Sequence, residues 1–198
     1  MRIVRRAGSP ARLGVLPASF NPPTIAHVAL INAAAAHVDE VLCVLPREFP
    51  HKLYSGATLE QRLQMLRAIE TAAMPFSIAV SEGGLFIEIG RECHDAYGPD
   101  TELLFICGRD AAERIISWNY GEPHAVDQML QRFGLLVASR GGPYAPPPQL
   151  AARIFPLAVA ADIESVSSSE VRERIARGEP WEHLVPRAVA GIVREIYF

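Results

Sequence analysis

The stretch LGVLPASFNPPTIAH, residues 13–27, decides the fold class. Leu13–Leu16 is a short apolar run and reads as a buried strand. Pro22 and Pro23 then delay any helix, because each lacks a backbone N–H and restricts the residue before it. From Ile25 to His37 the chain is alanine-rich and reads as a helix. A strand that hands over to a helix across a short turn is the first half of a βαβ unit.

The same alternation continues outward. Val41–Leu45 reads as a second strand. Thr58–Ala73 carries Leu59, Leu63, Leu66 and Ile69 at helical spacing, behind a Thr58–Gln61 capping box. Phe76–Val80, Leu103–Cys107 and Leu135–Ala138 read as further strands, and Ile154–Leu157 is strand-like. Phe86–Tyr97, Ala111–Trp118, Pro123–Arg132, Ser168–Arg177 and Pro186–Ile196 read as helices, with Gly178 closing the fourth of these. RGGPYAPPPQ, residues 140–149, reads as a surface loop, and MRIVRRAGSPARLG as a basic lead-in to the first strand. The expected fold is α/β: a Rossmann-like, doubly wound parallel sheet with helices on both faces, as one domain over residues 1–198. Ligands of such sheets bind beyond the carboxyl ends of the strands, here just after Leu16, Leu45, Cys107 and Leu157.

Composition narrows the partners. A net charge of −3 gives no electrostatic reason to expect nucleic acid or a membrane, so an anionic ligand needs a local cluster of donors. Cys43, Cys93 and Cys107 show no CxxC spacing, which points to buried, reduced thiols in a cytoplasmic protein. No run approaches the ~20 apolar residues of a membrane span, and the amino-terminal residues lack the apolar core of a signal peptide. The histidines other than His27 form no compact set with cysteines, so no structural metal is expected. A homo-oligomer is compatible with the sequence.

Two constellations carry chemistry. Thr24 and His27, three apart in the first turn of their helix, share a face at a terminus with free N–H groups and partial positive charge. A hydroxyl and an imidazole there suit phosphate oxygens. The spacing serves equally well if Thr24 is only a cap and His27 a half-buried helix residue. VSSSEVR, residues 166–172, opens another helix, with Ser167 and Glu170 spaced as a capping box and Arg172 within two turns. Hydroxyls, N–H groups and a guanidinium together suit a pyrophosphate. Alone, this motif would read as a well-capped surface helix.

These residues resemble a known family. SFNPPTIAH is similar to the S/T-F-[DN]-P-x-[HT]-x-x-H signature of the adenylyl- and cytidylyltransferases, nearest to the nicotinate- and nicotinamide-mononucleotide adenylyltransferases. SSSEVR resembles the family's S-S-T-x-[IV]-R, with Ser169 for Thr. FPHK (49–52), ICGRDAAERIISW (106–118) and the carboxyl-terminal LVPRAVAGIVREIYF extend the likeness over almost the whole chain. The resemblance implies transfer of AMP from ATP to a mononucleotide phosphate, with release of pyrophosphate and with Mg²⁺. It implies ATP contacts at Ser19, Phe20, Asn21, Thr24, His27, Gly108, Asp110, Ser167, Ser168, Ser169 and Arg172. His27, Thr24, Lys52 and Arg172 take the catalytic part, and Lys52 and Trp118 meet the acceptor. The chain departs from the family at two places. Pro17 and Ala18 stand where a Gly-Gly pair is common, and SEGGLFIEIGRE (81–92) lacks the hydroxyl-rich stretch found near the acceptor in bacterial members. Two rivals follow: the same chemistry on another acceptor (phosphopantetheine, or a sugar or glycerol phosphate with CTP), and a non-catalytic nucleotide-binding regulator.

Overall fold

The structure, a computed structural model, describes residues 1–49, 54–69, 75–118, 121, 124–138, 144–160, 163 and 166–198. Seven strands form a single sheet: β1 (Arg2–Arg5), β2 (Arg12–Pro17), β3 (Glu40–Pro46), β4 (Phe76–Ser81), β5 (Glu102–Gly108), β6 (Phe133–Ala138) and β7 (Ile154–Leu157). Their order across the sheet is β1-β4-β3-β2-β5-β6-β7. Six strands run parallel, and β1 lies antiparallel to β4 at one edge, pairing Ile3 with Ala79. The residues expected to be a lead-in therefore begin with a strand. The register breaks between Ile3 and Arg5, so the edge is short and irregular. Ser77 and the Arg5 side chain hold the amino-terminal segment across that break: the Ala7 N–H donates to Ser77 Oγ, and Arg5 Nε to the Phe76 carbonyl. Apolar periodicity cannot report such side-chain anchoring.

The parallel strands are buried on both faces because they carry aliphatic side chains on both. In β3 every residue is buried. Val41, Cys43 and Leu45 point into one apolar layer, and Leu42 and Val44 into the other. The first layer is covered by α1 (Ile25–Ala34), α2 (Leu59–Arg67), α6 (Ser168–Arg177) and α7 (Arg187–Tyr197), through Ile31, Leu63, Val171 and Val189 among others. The second is covered by α3 (Phe86–Tyr97), α4 (Arg109–Ser117) and α5 (Ala125–Arg132), through Ile89, Cys93, Ala112, Ile115, Met129 and Leu130. This is the doubly wound arrangement that the alternating pattern predicts.

Boundaries shift where tertiary contacts override local pattern. Helix α1 ends at Ala34 rather than His37, because the chain turns there to bury Val38. Helix α4 begins two residues before Ala111, at the end of β5, and stops before Trp118. Of the 140–149 loop, residues 144–147 are irregular and Pro148–Leu150 is a single 3₁₀ turn; the remainder lies outside the described residues. Residues 70–73 of the expected Thr58–Ala73 helix also lie outside them.

All three cysteines are free and buried. Burial pushes the thiols of Cys93 and Cys107 up to about 12, and Cys43 in the same direction. A thiol reagent is therefore expected to leave the native protein unmodified and to react only as it unfolds. Labelling of native Cys43 would contradict this burial.

Candidate active site

Counting only the parallel strands in chain order, the sheet reads 3-2-1-4-5-6, so its direction of winding reverses between β2 and β5. Beyond the carboxyl ends of those two strands lies a cleft of about 900 Å³. Pro17, Ala18, Ser19 and His27 line it after β2, and Gly108 and Ala111 from the end of β5 onward. The Pro17–Ala18 departure leaves the backbone in ordinary conformations, and the Ala18 N–H donates to the Val44 carbonyl at 3.1 Å. The left-handed residue of this loop is instead Phe20, at φ 48°. Phe20 is fully buried, and its ring lies 4.9 Å from that of His27.

Helix α1 starts with an unusual capping pair. Thr24 is the cap, and His27 does the work usually given to Glu in a capping box. His27 Nδ1 accepts the Thr24 N–H at 3.0 Å and sits 2.9 Å from Thr24 Oγ1. An Nδ1 that accepts a backbone N–H places the proton of the neutral ring on Nε2. Thr24 is itself fully buried. The capping reading and the ligand reading are thus compatible: the cap contact orients the imidazole in the cleft.

The second motif folds onto the first. Ser167 Oγ caps α6 by accepting the Glu170 N–H at 3.1 Å. The other half of the expected box is absent, because the Glu170 carboxylate pairs with Arg174 at 2.8 Å instead. Ser168 Oγ donates to the Pro22 carbonyl at 2.8 Å, and Arg172 Nη1 to the Asn21 carbonyl at 2.6 Å. Arg172 also reaches Ser168 O and Ser169 Oγ. The amino ends of α1 and α6 therefore meet at one place. Between them opens a polar pocket of about 430 Å³, lined by Ser19, Asn21, Ser55, the serines 167–169 and Arg172.

Several side-chain roles here go beyond what sequence reasoning shows. The Asn21 side chain is a tie rather than an open ligand group. Its Nδ2 donates to Ser55 O at 2.8 Å, and its Oδ1 accepts the Ala57 N–H at 3.0 Å and the Tyr197 hydroxyl. Burial pushes the Tyr197 phenol up to about 12, which keeps it a donor. Arg62, only 4% exposed, donates to Ser19 O at 3.1 Å and lies 4.6 Å over the Tyr54 ring. Burial lowers its affinity for the proton, and the facing Tyr54 and Tyr197 phenols oppose that. No local pattern marks Tyr54 or Tyr197, which reach the site from distant parts of the chain.

On the far side of the cleft, Gly108 ends β5, and a side chain there would meet nothing within 4 Å, so a ligand has room to approach. Asp110 is exposed in the first turn of α4. Trp118 follows the helix, is 37% exposed, and lines a side pocket of about 380 Å³ with Gly84, Phe86 and Arg114. That exposure excludes simple core packing for Trp118. Lys52 lies outside the described residues.

Comparison with known proteins supplies the family. A cytidylyltransferase-like family model matches residues 15–174. A probable nicotinate-nucleotide adenylyltransferase of Moorella thermoacetica is 30% identical, over 98% of this chain and 93% of its own. The Bordetella avium protein of the same name is 29% identical, over 93% and 95%. Among solved structures, Plasmodium falciparum nicotinic acid mononucleotide adenylyltransferase complexed with NaAD superposes with a TM-score of 0.73 at 14% identity, over 93% of this chain and 95% of that one. At that identity the likeness speaks for the fold.

Proposed function

The chain belongs to the cytidylyltransferase-like family, alongside nicotinate-nucleotide adenylyltransferases, and from that premise we propose that it transfers AMP from ATP to the phosphate of nicotinate or nicotinamide mononucleotide, in NAD biosynthesis. The observation that carries this reading is the meeting of two helix amino termini, α1 and α6, through Arg172 and Ser168, at the switch point of the sheet.

An oxygen of the acceptor phosphate attacks the α-phosphorus of ATP in line. The bond from that phosphorus to the β-phosphate oxygen breaks, and pyrophosphate leaves. The nucleophile is already an anion, so the protein needs no base; it must position two anions and stabilise charge. His27 Nε2–H donates to the α-phosphate. Thr24 acts through His27 by holding Nδ1. The N–H groups at the start of α6, with Ser167–Ser169 and Arg172, hold the β- and γ-phosphates. Ser19, Phe20 and Asn21 shape the loop beneath them. Gly108 and Asp110 receive the ribose. Trp118 stacks on the pyridine ring, and Lys52 draws the acceptor phosphate in.

Magnesium suits this site as a companion of the triphosphate. Among the described residues no three His, Cys, Asp or Glu side chains group to hold a metal. Mg²⁺ commonly keeps its waters and binds through substrate phosphates, where it screens their charge. ATP as donor and three reduced, buried thiols suit the cytoplasm, and among the described residues no helix is long and apolar enough to cross a membrane.

The test is pyrophosphate release with ATP or CTP against a panel of nicotinate mononucleotide, nicotinamide mononucleotide, phosphopantetheine and glycerol phosphate. Release with ATP and a pyridine mononucleotide is expected. Release only with another acceptor, or tight ATP binding without release, would replace this reading.

A further inference from the structure

The Trp118 end of the cleft carries a cationic side chain, beside a loop rich in backbone donors. The loop 82–85 leads into α3, where backbone N–H groups would ordinarily welcome an anion. Within the loop itself each is already taken. The Glu82 and Gly83 N–H groups donate to the Glu92 carboxylate at 3.3 and 3.1 Å. Those of Gly84 and Leu85 donate to Glu88 Oε2 at 3.0 and 2.9 Å. No hydroxyl side chain stands between Glu82 and Glu92. The backbone donors of residues 82–85 are therefore spent within the loop.

Opposite this loop is Arg114. It lies one helical turn before Trp118 and lines both the Trp118 pocket and the main cleft. It is exposed. Its neighbours on α4 are paired with each other, Arg109 with Glu113 at 2.8 Å. Among the described residues the Arg114 guanidinium makes no hydrogen bond or ion pair. It is the cation that the Trp118 pocket offers.

We propose that Arg114 is a specificity-determining residue that reads the charge of the acceptor's ring substituent, selecting a pyridine carboxylate over the corresponding carboxamide. The inference rests on the adenylyl-transfer reading for the placement of the ring on Trp118. A guanidinium meets a carboxylate with two parallel charge-assisted hydrogen bonds. A carboxamide offers one neutral acceptor, and its NH₂ faces further donors.

The experiment measures binding of nicotinate and nicotinamide mononucleotides by calorimetry, and kcat/KM by pyrophosphate release, for the unaltered protein, Arg114→Gln and Arg114→Lys. The unaltered protein should favour the acid about ten- to hundredfold, the worth of charge-assisted hydrogen bonds. Arg114→Gln should bring that ratio close to one through loss on the acid, and Arg114→Lys should restore part of it. An equal loss for both acceptors would overturn the proposal and assign Arg114 to the phosphate they share. An unchanged ratio would overturn it outright. Selective binding of the acid that vanishes in Arg114→Gln, with no pyrophosphate from either acceptor, would leave Arg114 as the selector and remove adenylyl transfer.

Discussion

His27→Ala is expected to lower kcat by about two to three orders of magnitude, the usual loss when one transition-state donor is removed. The physical case is in the cap of α1. The Thr24 N–H, 3.0 Å from Nδ1, sets the tautomer and aims Nε2–H. Phe20 packs against the ring at 4.9 Å and limits its rotation. A donor held this way needs no reorganisation when charge grows on the α-phosphate. The ground-state contacts of ATP lie mainly with α6 in this reading, so KM for ATP should move far less than kcat. Single-turnover kinetics with calorimetric ATP binding checks both halves. Unchanged turnover would remove His27 from the mechanism. A large loss of ATP affinity with kcat intact would make it a binding group instead.

The second large effect is structural and reaches the site from outside it. Gly56→Ala is expected to destabilise the protein by about 2–3 kcal/mol, since Gly56 combines a glycine-only backbone with a crowded neighbour. Its φ is +119°, and an added Cβ would sit 2.5 Å from Asn21 Nδ2 and 2.7 Å from Oδ1. For a chain of 198 residues that corresponds to a Tm lower by roughly 5–10 °C. The displaced amide is the one that ties the loop after β2 to Ser55, Ala57 and Tyr197. The Asn21 carbonyl also anchors Arg172 at 2.6 Å. KM for ATP should therefore rise as stability falls. Gly98→Ala is the control, with φ +107° and nothing within 4 Å of its Cβ. It carries the backbone strain without the collision, and it should cost stability while sparing KM. If both variants raise KM alike, the Asn21 tie does not position the clamp.

Legibility in the sequence follows the range of the interactions concerned. Phe86–Tyr97, Ser168–Arg177 and Ile154–Leu157 have the same bounds in the structure as in the pattern, because propensity, capping and apolar spacing agree there. The end of α1 was not legible, since Val38 leaves the helical path to reach the core. Strand β1 was not, because its few basic residues are held by an edge pairing with β4. At the site, Thr24, His27, Ser167 and Arg172 stand out because helix amino termini need particular side chains at fixed offsets. Asn21 also stands out, but as a ligand contact, whereas its amide serves as a tie. Glu170 has the spacing of a capping partner yet pairs with Arg174. A carboxylate near two donors takes the one its surroundings favour, and spacing cannot decide between them.

The sequence by itself determined the alternating α/β order, the two capped helix starts that carry the candidate site, and the likeness to nucleotidyltransferases. Each depends on residues close together in the chain. Only the tertiary structure decided that Arg172 anchors on Asn21, that Tyr197 braces the same residue from the far end, and that Arg114 faces a loop whose donors are spent. Those contacts join segments tens to well over a hundred residues apart. Their geometry comes from how the two helical layers pack on the twisted sheet, and no local spacing records it.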